Sequence, residues 1–252
     1  MRPPPRWLRR APLVKEPIRR LSKRFAPSGP LDVVVEGTRF AIDPSDNKVD
    51  FDIWYKRRLE EAHERAFLAA HLKEGDWFVD VGANIGLYTV SLLLAVTGLK
   101  TVSFEPLDRL RARLETNLTL NGLTARAVVR SEAVGPSGNA QLYESGNAGR
   151  SSLIAFEGAR LGRTVAVRPL HEMLNHLGVV PAAVKIDVEG FEAEALMPYF
   201  DEAPPTQWPQ AIVIETLHRA HWRRDCLQEL FQRGYVEDGS TLENALLVRR
   251  SV

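Results

Sequence analysis

An apolar, strand-like run that leads into a turn of small residues constrains the fold of this chain most. Residues 77–81 have the β-branched, apolar character of a buried parallel strand, broken only by Asp80. Gly82 and Gly86 follow, and glycine lets a backbone turn tightly and approach a ligand where a side chain would clash. A helical pattern begins at Leu87. This strand–turn–helix order predicts an α/β domain that binds a nucleotide-like cofactor.

The details of the turn favour one kind of cofactor. The order is D-x-G-x-N-x-G, whereas a dinucleotide site requires G-x-G-x-x-G directly after the strand. Asp80 would repel a pyrophosphate, but it suits a cationic ligand such as a sulfonium or an α-amino group. S-adenosylmethionine carries both groups. A second predicted strand ends in Glu105, where an acid can accept hydrogen bonds from ribose hydroxyls.

Four motifs occur in order along residues 36–248. They are D-V-G-A-N-I-G at 80–86, F-E-P at 104–106, N-L-x-L-N-G at 117–122 and K-I-D-V-E-G-F-E at 185–192. In this series the chain resembles the FkbM-type methyltransferases. The resemblance implies a Rossmann-like class I fold, S-adenosylmethionine as cofactor, and O-methylation of a hydroxyl on a sugar, glycan, lipid-linked or polyketide-type acceptor. Where the family usually has a Leu-Asp pair opening a helix, this chain has Leu170-His171, a change that a helix cap tolerates.

The pattern of the chain beyond the first motif predicts alternating strands and helices. Strands are expected at residues 77–81, 101–105, 126–134, 184–188 and 211–215, and helices near residues 87–97, 107–120, 171–177, 191–199 and 222–233. Such alternation predicts an α/β fold with a parallel sheet and helices on both faces. By resemblance the sheet is mostly parallel and seven-stranded, with an antiparallel last strand supplied by a hairpin near residues 235–248.

Three regions are expected along the chain. Residues 1–30 form a basic, proline-rich N-terminal extension, residues 31–75 a hairpin followed by a helix cap, and residues 76–252 the methyltransferase domain. Six glycines between short strand-like pieces at about residues 135–168 predict an inserted flap over the carboxyl edge of the sheet.

Charge is distributed unevenly along the chain. The first 24 residues hold nine basic groups and one acidic group, so the remainder carries a net charge of −7. An acidic body disfavours a nucleic acid as acceptor. The tail is expected to be a solvated leader, with weak contact to an anionic membrane surface as the alternative. The longest apolar stretch, residues 87–99, is shorter than the ~20 residues of a membrane span, and a single cysteine fits a cytoplasmic protein.

The residues expected to bind the cofactor lie at or just beyond the carboxyl ends of strands, where ligands of open α/β sheets bind. Asp80 is expected to contact the loop or the methionine amino group, with a turn-capping role as the alternative. Asn84 is expected either to bind the methionine carboxylate or to tolerate a left-handed turn. The full set is Asp80, Gly82, Asn84, Gly86, Glu105, Glu132, Ala133 and Asp187.

The catalytic candidates follow the fourth and fifth strands. Because side chains alternate along a strand, Lys185, Asp187 and Glu189 are expected to share one face. Charges on a buried strand are costly unless they are paired or functional, and a structural Lys185–Asp187 ion pair is the alternative. Glu215 and His218 follow the next strand, where a histidine can accept a hydroxyl proton.

Other assignments remain open from the sequence. A divalent metal shared by Asp187 and Glu215 ranks second to a metal-free base. The alternative functions are a nicotinamide-dependent oxidoreductase, which needs a glycine spacing that the chain lacks, and a non-catalytic cofactor-binding module. The intact charges of the fourth strand argue against the latter.

Overall fold

The computed structural model describes residues 21–145 and 151–250. The expectations for the first 20 residues and for residues 146–150 of the flap therefore lie outside the described residues. The described part holds these strands: β1 (Leu31–Val35), β2 (Thr38–Ile42), β3 (Trp77–Val81), β4 (Lys100–Phe104), β5 (Ala127–Arg130), β6 (Ala133–Val134), β7 (Gly138–Glu144), β8 (Ser151–Ser152), β9 (Arg160–Arg168), β10 (Ala183–Ile186), β11 (Ala211–Glu215), β12 (Tyr235–Ser240) and β13 (Asn244–Arg249).

The α-helices connect these strands in the order that the sequence predicts, with one addition. They are α1 (Lys48–Lys56), α2 (Ala62–Ala70), α3 (Leu87–Ala95), α4 (Asp108–Leu120), α5 (Leu170–Leu177), α6 (Glu192–Glu202) and α7 (Cys226–Gln232). The sequence analysis did not predict α1. Asn47 begins this helix, and its side chain accepts a hydrogen bond from the Val49 amide. Among the helices of the described ranges, none is long and apolar enough to cross a bilayer.

The central sheet has seven strands in the order β5-β4-β3-β10-β11-β13-β12. The five strands from β5 to β11 run parallel, whereas β13 runs antiparallel to both of its neighbours. The predicted α/β fold, mostly parallel with an antiparallel last strand, is confirmed. Because β3 lies between β4 and β10 and runs parallel to both, the carboxyl ends of these three strands meet at one edge of the sheet.

Two apolar layers cover the faces of this sheet. Successive strand residues point to opposite faces, so Phe78 packs with α2, α3 and α4, while Val79 packs with α5, α6 and α7. Helices on both faces bury the inner parallel strands β3, β10 and β11 almost completely, which explains their continuous apolar runs.

The predicted single strand over residues 126–134 is wrong. The chain leaves the central sheet after β5, and β6 instead belongs to a second sheet of order β6-β9-β7-β8. The strands of this small sheet lie within residues 133–144 and 151–168, and the sheet lies over the carboxyl edge of the central sheet. Its Ser152 hydroxyl donates to the backbone oxygen of Glu189 at 2.9 Å, which ties the small sheet to the loop after β10.

The N-terminal hairpin β1–β2 docks on α4 through one buried amide. Asn117 is fully buried; its Oδ1 accepts the Ala41 amide at 2.6 Å, and its Nδ2 donates to the Ile85 carbonyl at 2.8 Å. Asn117 lies in the last turn of α4, which ends at Leu120. It joins the hairpin to the glycine turn after β3, so the N-terminal segment helps to position that turn.

Candidate active site

A cleft of about 910 Å³, counted out to its open mouth, lies beyond the carboxyl ends of β3, β4 and β10. Its walls come from the glycine turn after β3, the loops after β4, β5 and β10, the residue before α2, and the small sheet. This is the crevice in which ligands of open parallel sheets bind.

The glycines of the turn are required by the protein's own packing. Gly82 has φ +77°, and a Cβ built on it would lie 1.9 Å from the backbone oxygen of Asp187. Gly86 has φ +86°, and a Cβ there would lie 2.3 Å from Leu114 Cδ1. The close approach predicted from the sequence is therefore present, but its nearest partners are protein atoms. The turn is packed directly against the loop that carries Asp187.

Asn84 adopts the left-handed conformation that the sequence analysis offered as one of two alternatives, with φ +53°. Its Oδ1 accepts the Ile85 amide at 2.9 Å and the Asn47 side-chain amide at 2.5 Å. The side chain thus closes the turn, while its backbone amide donates to Glu105 at 2.9 Å. No sequence pattern indicated Asn47 as a partner, since 37 residues separate the two asparagines.

Glu105 follows β4 and lines the cleft with 6% of its surface exposed. One carboxylate oxygen accepts the Asn84 amide and the other accepts the Leu107 amide, each at 2.9 Å. Burial raises the pKa of Glu105 to about 7, although the two amides oppose this shift. Each oxygen keeps a lone pair for a further donor, so the carboxylate can still accept hydrogen bonds from a ligand.

Asp80 lies beneath the turn and outside the lining of the cleft. It is 1% exposed, and its Oδ2 accepts a hydrogen bond from the Thr89 hydroxyl at 2.6 Å. Burial raises the pKa of this carboxyl, and Lys185, 4.0 Å away, lowers it. The contact between Asp80 and a ligand stays a prediction, since its Oδ1 accepts no hydrogen bond within the described residues. The bond from Thr89 fits the alternative, in which Asp80 orders the turn.

Lys185 holds three parts of the site together. Its Nζ donates to the Gly82 carbonyl at 3.1 Å, lies 3.4 Å from Asp187 Oδ2, and sits 5.3 Å from the centre of the Tyr88 ring. Burial alone would lower the pKa of Lys185, but the Asp187 and Asp80 carboxylates raise it above its ordinary value. The ammonium therefore stays charged at neutral pH and accepts no proton.

The expected common face of Lys185, Asp187 and Glu189 holds only for the first two residues. The predicted strand over residues 184–188 ends at Ile186, so the alternation of side chains stops there. Glu189 has φ +56°, and its carboxylate lies 3.6 Å from the Nδ1 of His218. A tight turn after β10 thus separates Glu189 from Lys185 and brings it to the residues that follow β11.

Glu215 and His218 form a second polar cluster beside the first. The Nδ1 of His218 lies 3.2 Å from Glu215 Oε1, and the rings of His218 and His221 stack at 6.2 Å. Burial, followed by the nearby Asp187 and Glu192 carboxylates, raises the pKa of Glu215 to about 9. Glu215 is therefore protonated at neutral pH.

Glu192 is a member of this cluster that the sequence analysis missed as a site residue. Oxygens of Asp187, Glu192 and Glu215 lie within 4.8 Å of one another, as a divalent cation would require. The Glu192 carboxylate already accepts the Val188 amide, the Gly190 amide and the Trp222 indole N–H at 2.6 to 3.1 Å. These bonds close the turn after β10, so the position of Glu192 has a structural cause without a metal.

Glu132 and Ala133 line the opposite end of the cleft. Arg130 donates to both Glu132 oxygens, at 2.5 and 3.2 Å. Burial raises the pKa of Glu132, but the bonds from Arg130 outweigh it and lower the pKa overall. Glu61 and Tyr88 also line the cleft, on the side of Lys185. The sequence analysis singled out neither, although Tyr88 lies two residues beyond Gly86.

The family model of the methyltransferase FkbM domain matches residues 80–237. The match begins at Asp80, runs through both polar clusters and ends within β12. No curated protein sequence matches the chain.

The chain is similar to several solved structures of methyltransferases. A putative rRNA-methylase from Clostridium thermocellum has 13% identity and a TM-score of 0.49 over 75% of this chain and 94% of its own. An S-adenosylmethionine-dependent O-methyltransferase from Thermotoga maritima has 14% identity and a TM-score of 0.46 over 89% of this chain and 79% of its own. The Pyrococcus abyssi tRNA (uracil-54, C5)-methyltransferase in complex with S-adenosyl-L-homocysteine has 11% identity and a TM-score of 0.47 over 87% of this chain and 43% of its own. Likeness at this level says nothing about the acceptor of this protein.

Proposed function

Because the chain belongs to the FkbM methyltransferase domain family, we propose that it methylates a hydroxyl oxygen of a sugar, glycan, lipid-linked or polyketide-type acceptor. The protein is a methyltransferase and its cofactor is S-adenosylmethionine. Transfer of a methyl group to a hydroxyl needs a protein group that takes the hydroxyl proton. A polar cluster at the edge of the cofactor cleft can supply this group, which supports oxygen as the methylated atom. The cluster consists of Asp187, Glu189, Glu215 and His218.

The polar groups that line the cleft fit S-adenosylmethionine. Glu105, with lone pairs left on both oxygens, suits the ribose hydroxyls. The small Ala133 and the neighbouring Glu132 suit the adenine end. These assignments leave the Lys185 side of the cleft for the methionine end and the acceptor.

When bound, S-adenosylmethionine supplies an electrophilic methyl group on a sulfonium centre. The chain must then align the acceptor and remove its proton. Glu215 is protonated at neutral pH and Lys185 is a fixed cation, so neither can take that proton. Asp187, Glu189 and His218 remain as candidate bases. Lys185 acts as a positioning residue, since it ties Asp187 to the glycine turn.

The charge of the site also bears on the acceptor. The carboxylates of Asp187 and Glu189 line the acceptor side, and residues 25–252 carry a net charge of −7. An acceptor with phosphates near the reacting atom would meet repulsion there. A neutral or cationic hydroxyl compound therefore fits better than a nucleic acid.

A transfer assay with S-adenosylmethionine labelled in its methyl group tests this proposal on cell-extract glycans, lipids and secondary metabolites. Once an acceptor is found, we expect His218→Ala to lower turnover by about 10²- to 10⁴-fold with cofactor affinity unchanged, and Asp187→Asn to lower turnover by a similar factor. His176→Ala, an exposed histidine on α5, is the matched control and should have full activity. Label on nitrogen or carbon, or full activity in both site variants, would contradict the proposal.

The same assay separates the metal-free mechanism from a metal-dependent one. We expect a chelator to leave turnover unchanged, because Lys185 already supplies a positive charge among the carboxylates. Loss of activity with chelator and recovery with magnesium or manganese would assign the Asp187, Glu192 and Glu215 oxygens to a cation instead.

A further inference from the structure

Glu61 is an acidic side chain of the cleft that lies outside the part of the chain matched by the family, residues 80–237. It directly precedes α2 and has φ +55° and ψ +40°. This left-handed conformation is costly for a residue other than glycine, asparagine or aspartate. Strained backbone of this kind persists only where the surroundings enforce it, and it is common at functional sites.

The surroundings do enforce this turn. The Arg65 guanidinium donates to the Glu60 carbonyl at 3.1 Å and to the Leu59 carbonyl at 3.4 Å. The Leu59 amide in turn donates to Glu36 at 3.2 Å. The Glu61 side chain makes no capping bond to α2, although a residue in this position usually does. The turn therefore directs its carboxylate away from the helix and into the cleft.

Tyr88 stands beside Glu61 in the same wall of the cleft. It is 3% exposed, and the Glu61 carboxylate is close enough to interact with its hydroxyl, although the two do not meet in full hydrogen-bond geometry. Burial, the charge of Glu61 and this interaction all raise the pKa of the phenol. A buried hydroxyl gains from a well-aligned partner, so the position favours a ligand that supplies one. The ring of Tyr88 is fixed over Lys185 at 5.3 Å, which holds the hydroxyl in place.

The positive charge near the Glu61 carboxylate does not offset the cost of burying it. Burial raises the pKa of its carboxyl to about 7, and Lys185 lowers it only in part. It forms no salt bridge with any side chain in the described ranges, whereas the adjacent Glu60 pairs with Lys56 at 2.8 Å. Asp187, also in the lining, adds a second negative charge. A cationic group is the ligand that these carboxylates stabilise.

We infer that Glu61, Tyr88 and Asp187 form the subsite for the α-ammonium group of the cofactor's methionine moiety. The ammonium has three N–H donors, which the two carboxylates and the phenol oxygen can accept. The phenol O–H can donate to the adjoining carboxylate of the cofactor. This inference takes over the role that the sequence analysis assigned to Asp80, and it rests on S-adenosylmethionine as cofactor but not on the acceptor.

Two ligands that differ only in the amino-acid part test this subsite. S-adenosylhomocysteine has the ammonium, whereas methylthioadenosine keeps the adenosine and the thioether sulfur but lacks the amino acid. By titration calorimetry we expect Glu61→Gln to weaken S-adenosylhomocysteine by about tenfold or more and to leave methylthioadenosine unchanged. Tyr88→Phe should weaken the first ligand only, and by a smaller factor.

Glu60→Gln is the matched control, since it removes a neighbouring carboxylate that does not line the cleft. It should leave both affinities unchanged, and urea unfolding of each variant confirms that the fold is intact. If Glu61→Gln lowers the affinity for both ligands equally, the subsite assignment is overturned. It is also overturned if the affinity for S-adenosylhomocysteine does not fall, and that result would place Glu61 on the acceptor side.

A measurement on the unmodified protein covers the case in which Glu61→Gln does not fold. An analogue of S-adenosylhomocysteine without its amino group should bind about tenfold or more weakly than the parent. Equal affinity of the two compounds would refute ammonium recognition. Absence of binding heat for every adenosine ligand would refute the cofactor assignment itself, a different outcome.

Discussion

Gly82→Ala tests whether the glycine turn and the Asp187 loop are one packed unit. A methyl group at residue 82 would lie 1.9 Å from the Asp187 carbonyl oxygen, a distance that forces backbone to move. Gly122→Ala is a matched control, because Gly122 has a similar φ of +69° and a Cβ added there would meet no atom within 4 Å. Both variants share the left-handed cost of about 1 to 2 kcal/mol, and only Gly82→Ala adds a clash of about 1 to 3 kcal/mol.

Urea unfolding measures this difference directly. We expect Gly82→Ala to lower the free energy of unfolding by about 1 to 3 kcal/mol more than Gly122→Ala does. Because relief of the clash displaces Asp187, S-adenosylhomocysteine affinity should fall in Gly82→Ala and stay unchanged in Gly122→Ala. Equal stability and equal affinity in the two variants would show that the turn and the loop are not coupled, which would refute this reasoning.

Three further predictions concern pH, packing and the tail. Since burial holds the pKa of Glu105 and Glu61 at about 7 and both act as carboxylates, S-adenosylhomocysteine affinity should rise from pH 6 to pH 8 in calorimetry; a flat profile would contradict this. Asn117→Leu leaves the Ala41 amide and the Ile85 carbonyl unpaired, so urea unfolding should show a loss of about 2 to 5 kcal/mol, against little for the exposed Asn139→Ala. Deletion of residues 1–24 should leave cofactor binding intact and reduce any sedimentation with anionic vesicles; equal sedimentation would make the tail a solvated leader.

The central sheet was predictable because its signals are local. The apolar runs of β3, β10 and β11 and the glycine turn after β3 each fix an element without reference to distant residues. Helix α1 lacked such a signal: its sequence KVDFDIWYK buries residues on every side, including Asp50 and Asp52, and so shows no polar stripe. The change of sheet between β5 and β6 was hidden for a similar reason, since both strands are apolar and only two residues apart.

The candidate site was predictable in position and less so in orientation. Glu105 and Asp187 end their strands at the cleft because parallel strands bring their carboxyl ends together. Asp80 belongs to the same edge, but the alternation along β3 turns it beneath the turn, toward Thr89. Glu61 was missed because its direction depends on a left-handed residue and on Arg65 bonds to the preceding carbonyls. The periodicity of apolar residues in the sequence does not indicate such a turn.

The central claim is that this cleft holds S-adenosylmethionine with Glu105 as the acceptor of its ribose hydroxyls. Titration calorimetry of S-adenosylmethionine and S-adenosylhomocysteine against the unaltered protein and Glu105→Ala tests it most directly. We predict micromolar-range binding of both ligands to the unaltered protein, weakened in the variant by about 1.5 to 3 kcal/mol because charge-assisted hydrogen bonds are lost. No binding heat from the folded, unaltered protein with either ligand, or equal affinity in Glu105→Ala, would contradict the account.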